Sequence, residues 1–167
     1  MPSGRTHDRL TWIVMPVVGF GVGALTADWG WGAIVSSSFG VGGFLLSPDL
    51  DTPSLPYYRW GMLRGIWHPY QKLFHHRSFW THGPILGTLI RLGYLGLWLG
   101  LGGSLLGLGI YATGHWATVL PMVQSLLTKT IAQDWRPLGA IALGLELSAL
   151  LHVSSDTLVS GWRRWRR

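Results

Sequence analysis

The sequence predicts an all-α integral membrane protein: a four-helix bundle, with an interfacial segment between spans two and three and an amphipathic helix between spans three and four. Three observations carry this reading. Of 167 residues, 48% are hydrophobic and only 12% are charged, against roughly 25% charged in a soluble domain. The chain holds 24 glycines and 11 tryptophans, types frequent in membrane helices and at their interfaces. The charges, net +6, cluster between long apolar runs. The length suits one domain, residues 1–167. There is no cysteine, so disulfides are excluded and a metal would need nitrogen and oxygen ligands.

The elements follow in order. Residues 1–10 are polar, with Arg5, His7, Asp8 and Arg9. Span one covers about 11–27, uncharged, and at about 1.5 Å per residue reaches about 26 Å. Its basic start and the small residues near Ala27 have the look of a signal peptide. Asp28 and Trp29-Gly30-Trp31 lead at once into a second uncharged run, however, so we read the segment as retained. Span two, 29–46, ends at Ser47-Pro48-Asp49-Leu50-Asp51-Thr52-Pro53, where proline and two carboxylates break the helix. Residues 54–81 interleave Arg59, Arg64, Lys72 and Arg77 with Tyr57, Tyr58, Trp60, Trp67, Tyr70 and Trp80. That mixture suits the headgroup layer, with a short helix around Leu63 to Phe74.

Pro84 opens span three, 85–110, as proline suits a first helical turn. The pairs Gly83/Gly87, Gly96/Gly100 and Gly103/Gly107 would let another helix pack closely. Within 111–137, Val119, Met122, Val123, Leu126, Leu127 and Ile131 repeat at helical spacing, predicting an interfacial amphipathic helix. Span four, 138–159, carries Glu146, His152 and Asp156. Residues 1–10, 47–84 and 160–167 hold nearly all the arginines and lysines, and the far side only Lys129 and Arg136. This bias places both termini in the cytoplasm. The Arg-rich tail reads as an anchor near anionic lipid and not as a nucleic-acid site.

With this topology the histidines and carboxylates sort to one layer. His7, Asp49, Asp51, His75, His76, His82, His152 and Asp156 all lie at the inner face, and only His115 lies opposite. His152 and Asp156, at i and i+4, share one helix face about 6 Å apart. An Asp in a span is rare unless paired, solvated or functional. In an extended turn Asp49 and Asp51 would point the same way and share an ion or bridge two. His68 and His75 read as headgroup-facing bystanders. Arg91 and Glu146, at similar depth on different spans, read as a buried ion pair. The sharper alternative makes Arg91 an anion clamp above the metal.

Ser3-Gly4-Arg5-Thr6-His7-Asp8, Pro48-Asp49-Leu50-Asp51, His76-Arg77-Ser78 with His82-Gly83, and the late His152 and Asp156 appear in that order. This run resembles the bacterial family of uncharacterised metal-binding membrane proteins, domain of unknown function 2227, over most of the chain. More distantly it is similar to the YdjM-like inner-membrane proteins, classed with metal-dependent hydrolases. His76 and His82 stand farther apart here than in the compact His-Arg-x-x-Thr-His form, which leaves open whether they share an ion. The resemblance implies metal binding.

The expectation is therefore a divalent-metal site, one or two ions of zinc, manganese or iron, drawn from His7, Asp49, Asp51, His76, His82, His152 and Asp156. Hydrolysis of a phosphoester or lipid-level substrate would use Asp51 or His76 as base and Arg77 for an anionic oxygen. A non-catalytic metal-binding or transport protein is the alternative. The lipid bilayer is the expected partner.

Overall fold

The computed structural model describes residues 3–165, all-helical apart from turns and connections. Four helices are long and apolar enough to cross a membrane. Ile131, and the side chains of Lys129, Arg163, Arg164, Arg166 and Arg167 used for the orientation, lie outside the described residues.

Helix α1, Gly4–Thr26, starts seven residues before the uncharged run. His7 thus sits on the helix itself rather than ahead of it, and its carbonyl accepts from the Thr11 hydroxyl at 3.0 Å. Pro16 lies inside α1. Beside it, the Met15 carbonyl accepts from Ser36 Oγ of α2 at 3.0 Å. The helix ends at Ala27 in a left-handed conformation, and Asp28 then caps α2, Trp29–Phe44, by accepting from the Gly30 N–H at 2.8 Å.

Helix α2 is the centre of the assembly, packed between α1 and the last helix, α8, Arg136–Trp165. The packing is close because the crossings are lined with glycine and serine. A Cβ on Gly32 would meet the Gly19 carbonyl oxygen at 2.4 Å, and one on Gly144 of α8 would meet the Val35 carbonyl oxygen at 2.4 Å. Backbone therefore lies against backbone, as in small-residue packing between apolar helices.

After α2 the chain forms a 3₁₀ turn, Pro48–Asp51, where the expected extended turn does not occur. Then come α3, Leu55–Arg59, a second 3₁₀ segment, Gly61–Trp67, and α4, His68–Leu73. These pieces are more than an interfacial strip. They close over a core of Leu50, Tyr57, Trp67 and Tyr70, all buried, with Trp60, Ile66 and Tyr94 packed against it. Trp67 and Tyr70 meet edge to face, ring centroids 5.6 Å apart. Burial pushes the Tyr70 phenol up to about 12. The cap is tied down by Trp60 Nε1 donating to the Leu45 carbonyl at 2.9 Å and Gln71 Nε2 to the Leu50 carbonyl at 3.1 Å. Arg59 forks onto the Asp8 carboxylate, fastening the cap to the start of α1.

A single turn, α5, Phe79–His82, precedes α6, Leu86–Ala112. Helix α6 departs from the expected bundle. It meets the α1–α2–α8 layer chiefly at its own N-terminal end, and its middle, from Leu97 to Leu108, is exposed. The glycine pairs explain this. Gly96, Gly100 and Gly103 face open space, whereas a Cβ on Gly87 would strike the Thr81 carbonyl oxygen at 2.5 Å. The glycines that seat helices on one another are those of α1, α2 and α8. Helix α7, Trp116–Gln133, leaves Met122, Val123 and Leu127 exposed along one side.

Filling the seam should cost stability. Gly144→Val drives a Cβ into the Val35 carbonyl and is expected to destabilise the protein by about 1–3 kcal/mol, read as a lower Tm in detergent. Gly100→Ala, in open space, should stay within about 0.5 kcal/mol of the parent. Equal effects at the two positions would contradict the packing described.

Candidate metal centre

Four separated stretches meet at one end of the α1–α2–α8 layer, beneath the aromatic cap. Helix α1 brings His7, the 3₁₀ turn after α2 brings Asp49 and Asp51, the segment around α5 brings His76, Arg77 and His82, and α8 brings His152 and Asp156. His7 Nε2 lies 3.2 Å from Asp156 Oδ1, and His152 Nε2 lies 3.2 Å from Asp49 Oδ1 and 4.0 Å from Asp156 Oδ2. His82 Nε2 is 3.8 Å from the same Asp49 oxygen. The His7 and His152 rings stack, centroids 4.0 Å apart. His75 is exposed and takes no part. His68 is engaged elsewhere, its Nε2 2.6 Å from the Tyr57 hydroxyl.

Each imidazole has its other nitrogen occupied. Ser155 Oγ spends its hydrogen on the His152 carbonyl at 2.8 Å, so at 3.2 Å from His7 Nδ1 it accepts. His82 Nδ1 lies 2.8 Å from Thr81 Oγ1, His152 Nδ1 3.4 Å from Ser47 Oγ, and His76 Nδ1 2.9 Å from Asp51 Oδ1. With the proton on Nδ1, the lone pair falls on Nε2. In His7, whose Nδ1 donates to Ser155, that lone pair therefore faces carboxylate oxygen, and in the same tautomer those of His82 and His152 do so as well.

In that tautomer no proton lies between nitrogen and carboxylate oxygen. His82 Nε2, His152 Nε2 and Asp156 Oδ1 are buried and have no hydrogen-bond partner. A buried unsatisfied polar atom costs about 1–3 kcal/mol, more when charged. A proton could bridge one imidazole–carboxylate pair, but His7 and His152, stacked at 4.0 Å, disfavour carrying two. A divalent cation relieves that cost: nitrogen and oxygen ligands at about 2.0–2.2 Å stand about 3–3.5 Å apart around one ion. The donor set thus fits a divalent metal held by imidazole and carboxylate. Three overlapping sets have ligand atoms within 4.8 Å of one another: His7, Asp49 and His152; Asp49, His76 and His82; and His82, His152 and Asp156.

Asp51 stands apart from these sets. It is buried, and it supports two rings, at 2.9 Å from His76 Nδ1 and 3.6 Å from His82 Nδ1. The 3₁₀ turn explains this: residues two apart no longer project together, so Asp49 faces His152 while Asp51 faces His76. Arg77, in a left-handed conformation, places one nitrogen 3.0 Å from Asp156 Oδ2. Arg77, His82, Asp156, Thr157 and Ser160 line an open cleft of about 230 Å³ beside the centre.

The expected Arg91–Glu146 ion pair is not what the structure builds. Arg91, buried, donates to the Thr81 carbonyl at 2.7 Å and to Thr88 Oγ1 at 3.1 Å. Glu146 accepts from the Ile85 N–H at 2.8 Å. Both charges hold the backbone of the α5–α6 break, where Ile85 has φ +62°. Two of the Arg91 nitrogens hold Thr81 and Thr88, so the anion-clamp alternative gains no support either. The sequence reading missed these roles, and those of Ser47, Thr81 and Ser155. The available signal was position: each hydroxyl residue is adjacent to, or within one helical turn of, a candidate ligand.

Comparison with known proteins follows the same residues. The family model described as "Uncharacterized metal-binding protein (DUF2227)" matches residues 2–166. An uncharacterized protein of Aquifex aeolicus (strain VF5) is 48% identical over 56 residues, which cover 33% of this chain and 39% of that protein. The chain thus spans well under half the length of that relative. No solved structure matches.

The hydroxyls make a direct test. Thr81→Val and Ser155→Ala keep size but remove the Nδ1 partners of His82 and His7. Each is expected to weaken divalent-cation affinity about 10–100-fold, measured by competition with a chromophoric chelator. Unchanged affinity in both variants would contradict the orientation of the imidazoles.

Proposed function

The chain belongs to the family of uncharacterized metal-binding proteins DUF2227, and from that premise we propose that it is a membrane-embedded metal-dependent hydrolase. Its substrate is a phosphoester at headgroup level, reached from the cytoplasmic face of a bacterial inner membrane. One observation carries the reading: His82, whose Nε2 is buried and unpaired, lines an open cleft together with Arg77 and Asp156. A purely structural ion would need no cleft.

His7, Asp49, His82, His152 and Asp156 hold the metal, with His76 alongside. A divalent ion held there supplies Lewis-acid polarisation of a phosphoryl oxygen and a water nucleophile at neutral pH. Asp51 keeps the His76 ring in one orientation through its Nδ1 proton, which turns the His76 Nε2 lone pair toward the centre as a further donor. Asp51, proposed from the sequence as ligand or base, acts as the positioning carboxylate behind that ring. Arg77, 39% exposed at its side chain, offers the guanidinium edge not spent on Asp156 to an anionic oxygen. Thr157 and Ser160 line the cleft wall and exclude little water, which suits a reaction that consumes water.

The four apolar helices and the arginine-rich side of the chain support the membrane placement and orientation. The glycerophosphate region of a lipid lies at the depth where the polar residues collect. Transport is the weaker reading. Arg91 and Glu146, the charges deeper along the helices, are committed to backbone groups and continue no path of ligands.

Phosphatase and phosphodiesterase assays on lipid and soluble substrates, with metal-loaded full-length protein in detergent, test the chemistry. Arg77→Ala is expected to lower kcat/KM about 10–100-fold, equivalent to about 1.4–2.7 kcal/mol, mainly through KM, with metal retained. His82→Ala and His152→Ala should lose metal and activity together. A metal-loaded protein inert across the panel would overturn hydrolysis in favour of metal binding alone.

A further inference from the structure

The site offers more donors than one ion can use. An ion with bonds of about 2.0–2.2 Å cannot hold ligand atoms farther apart than about twice that length. His76 shares a set with Asp49 and His82, and with no ligand of α1 or α8. His7 shares a set with Asp49 and His152, and not with His76. Two of the sets thus have one carboxylate in common, Asp49, and the third, of His82, His152 and Asp156, spans them. Asp49 Oδ1 stands between them, 3.2 Å from His152 Nε2 and 3.8 Å from His82 Nε2.

Charge points the same way. A second cation in one pocket is tolerable only where anionic charge is shared between the two. Asp49 bridges the groups, Asp156 adds a carboxylate to the α1–α8 side, and Asp51, 3.6 Å from His82 Nδ1, adds one behind the α5 side. Asp51 Oδ2 is buried with no hydrogen-bond partner, so its charge acts on the His76–His82 side without being spent on a donor. Enclosed two-ion sites built on one shared carboxylate place the ions about 3.5–4 Å apart.

We propose that the centre is dinuclear: one divalent ion on His7 and His152, a second on His76 and His82, with Asp49 bridging them and Asp156 beside the first. This rests on the metal-centre reading above but not on hydrolysis. His76, the most exposed of the imidazoles at 31% of its side chain, makes the second ion the more accessible and more readily exchanged.

The test uses full-length protein in detergent, stripped with chelator and reloaded with Zn²⁺ or Mn²⁺. Elemental analysis should give about two equivalents per chain. His76→Ala and His7→Ala should each lose about one and keep the other, and Asp49→Asn should weaken both. Electron paramagnetic resonance of the Mn²⁺-loaded wild type needs no variant and should show an exchange-coupled pair. A single equivalent at saturation with an isolated Mn²⁺ spectrum would overturn the dinuclear assignment while leaving the metal centre standing. Two uncoupled equivalents that survive His76→Ala and His7→Ala would overturn it too. No metal at all would overturn both readings, whereas a coupled pair in a protein without hydrolytic activity would uphold this one alone.

Discussion

The facing of imidazole lone pairs and carboxylate oxygens at the end of an apolar helix layer is the constraint on which the rest of the structure depends. His152 Nε2 against Asp49 Oδ1 and His7 Nε2 against Asp156 Oδ1, each at 3.2 Å, are pairs that cost stability unless a proton or a cation lies between them. Burial away from water raises that cost. Folding tolerates such a cluster only where the surrounding structure over-determines it, and the surroundings here do. Ser155, Ser47, Thr81 and Asp51 hold the outer nitrogens. Arg59 clasps Asp8 one residue from His7, and Arg77 braces Asp156.

The same economy governs the α5–α6 break. Ending one helix and beginning another strands backbone groups that need partners. Arg91 takes the Thr81 carbonyl and Glu146 the Ile85 N–H. The two deep charges thus stabilise the turn that presents His82, from opposite sides of it. Gly87 permits the turn to fold against its own helix. The aromatic cap closes from above, with Leu50, Trp67 and Tyr70 buried directly behind Asp51 and the 3₁₀ turn.

Much of this was legible in the sequence because it is written in local spacing. His152 and Asp156 share a face by helical period alone, and the uncharged runs mark four long helices by length and composition. The convergence of His7, Asp49, His76, His82 and Asp156 followed from sorting polar residues to one end of those runs. What was not legible depends on which faces meet. Glycines at four-residue spacing occur on α6 and on the α1, α2 and α8 seam alike, and only the three-dimensional fit separates them. Arg91 and Glu146 invite pairing by depth, yet each found a backbone partner whose exposure arises only from the break at Gly83–Ile85. The turn at Pro48–Asp51 parted the roles of Asp49 and Asp51, because a 3₁₀ turn rotates residues two apart to different directions.

Membership of a metal-binding family, the donor chemistry and the geometry thus meet in one place. X-ray absorption at the K-edge of the bound metal in the full-length protein tests this most directly. A first shell of nitrogen and oxygen at about 2.0–2.2 Å, with outer-shell scattering from several imidazoles that falls in His152→Ala, is the predicted spectrum. A first shell of water or carboxylate oxygen alone, unchanged in His152→Ala, would contradict the assignment.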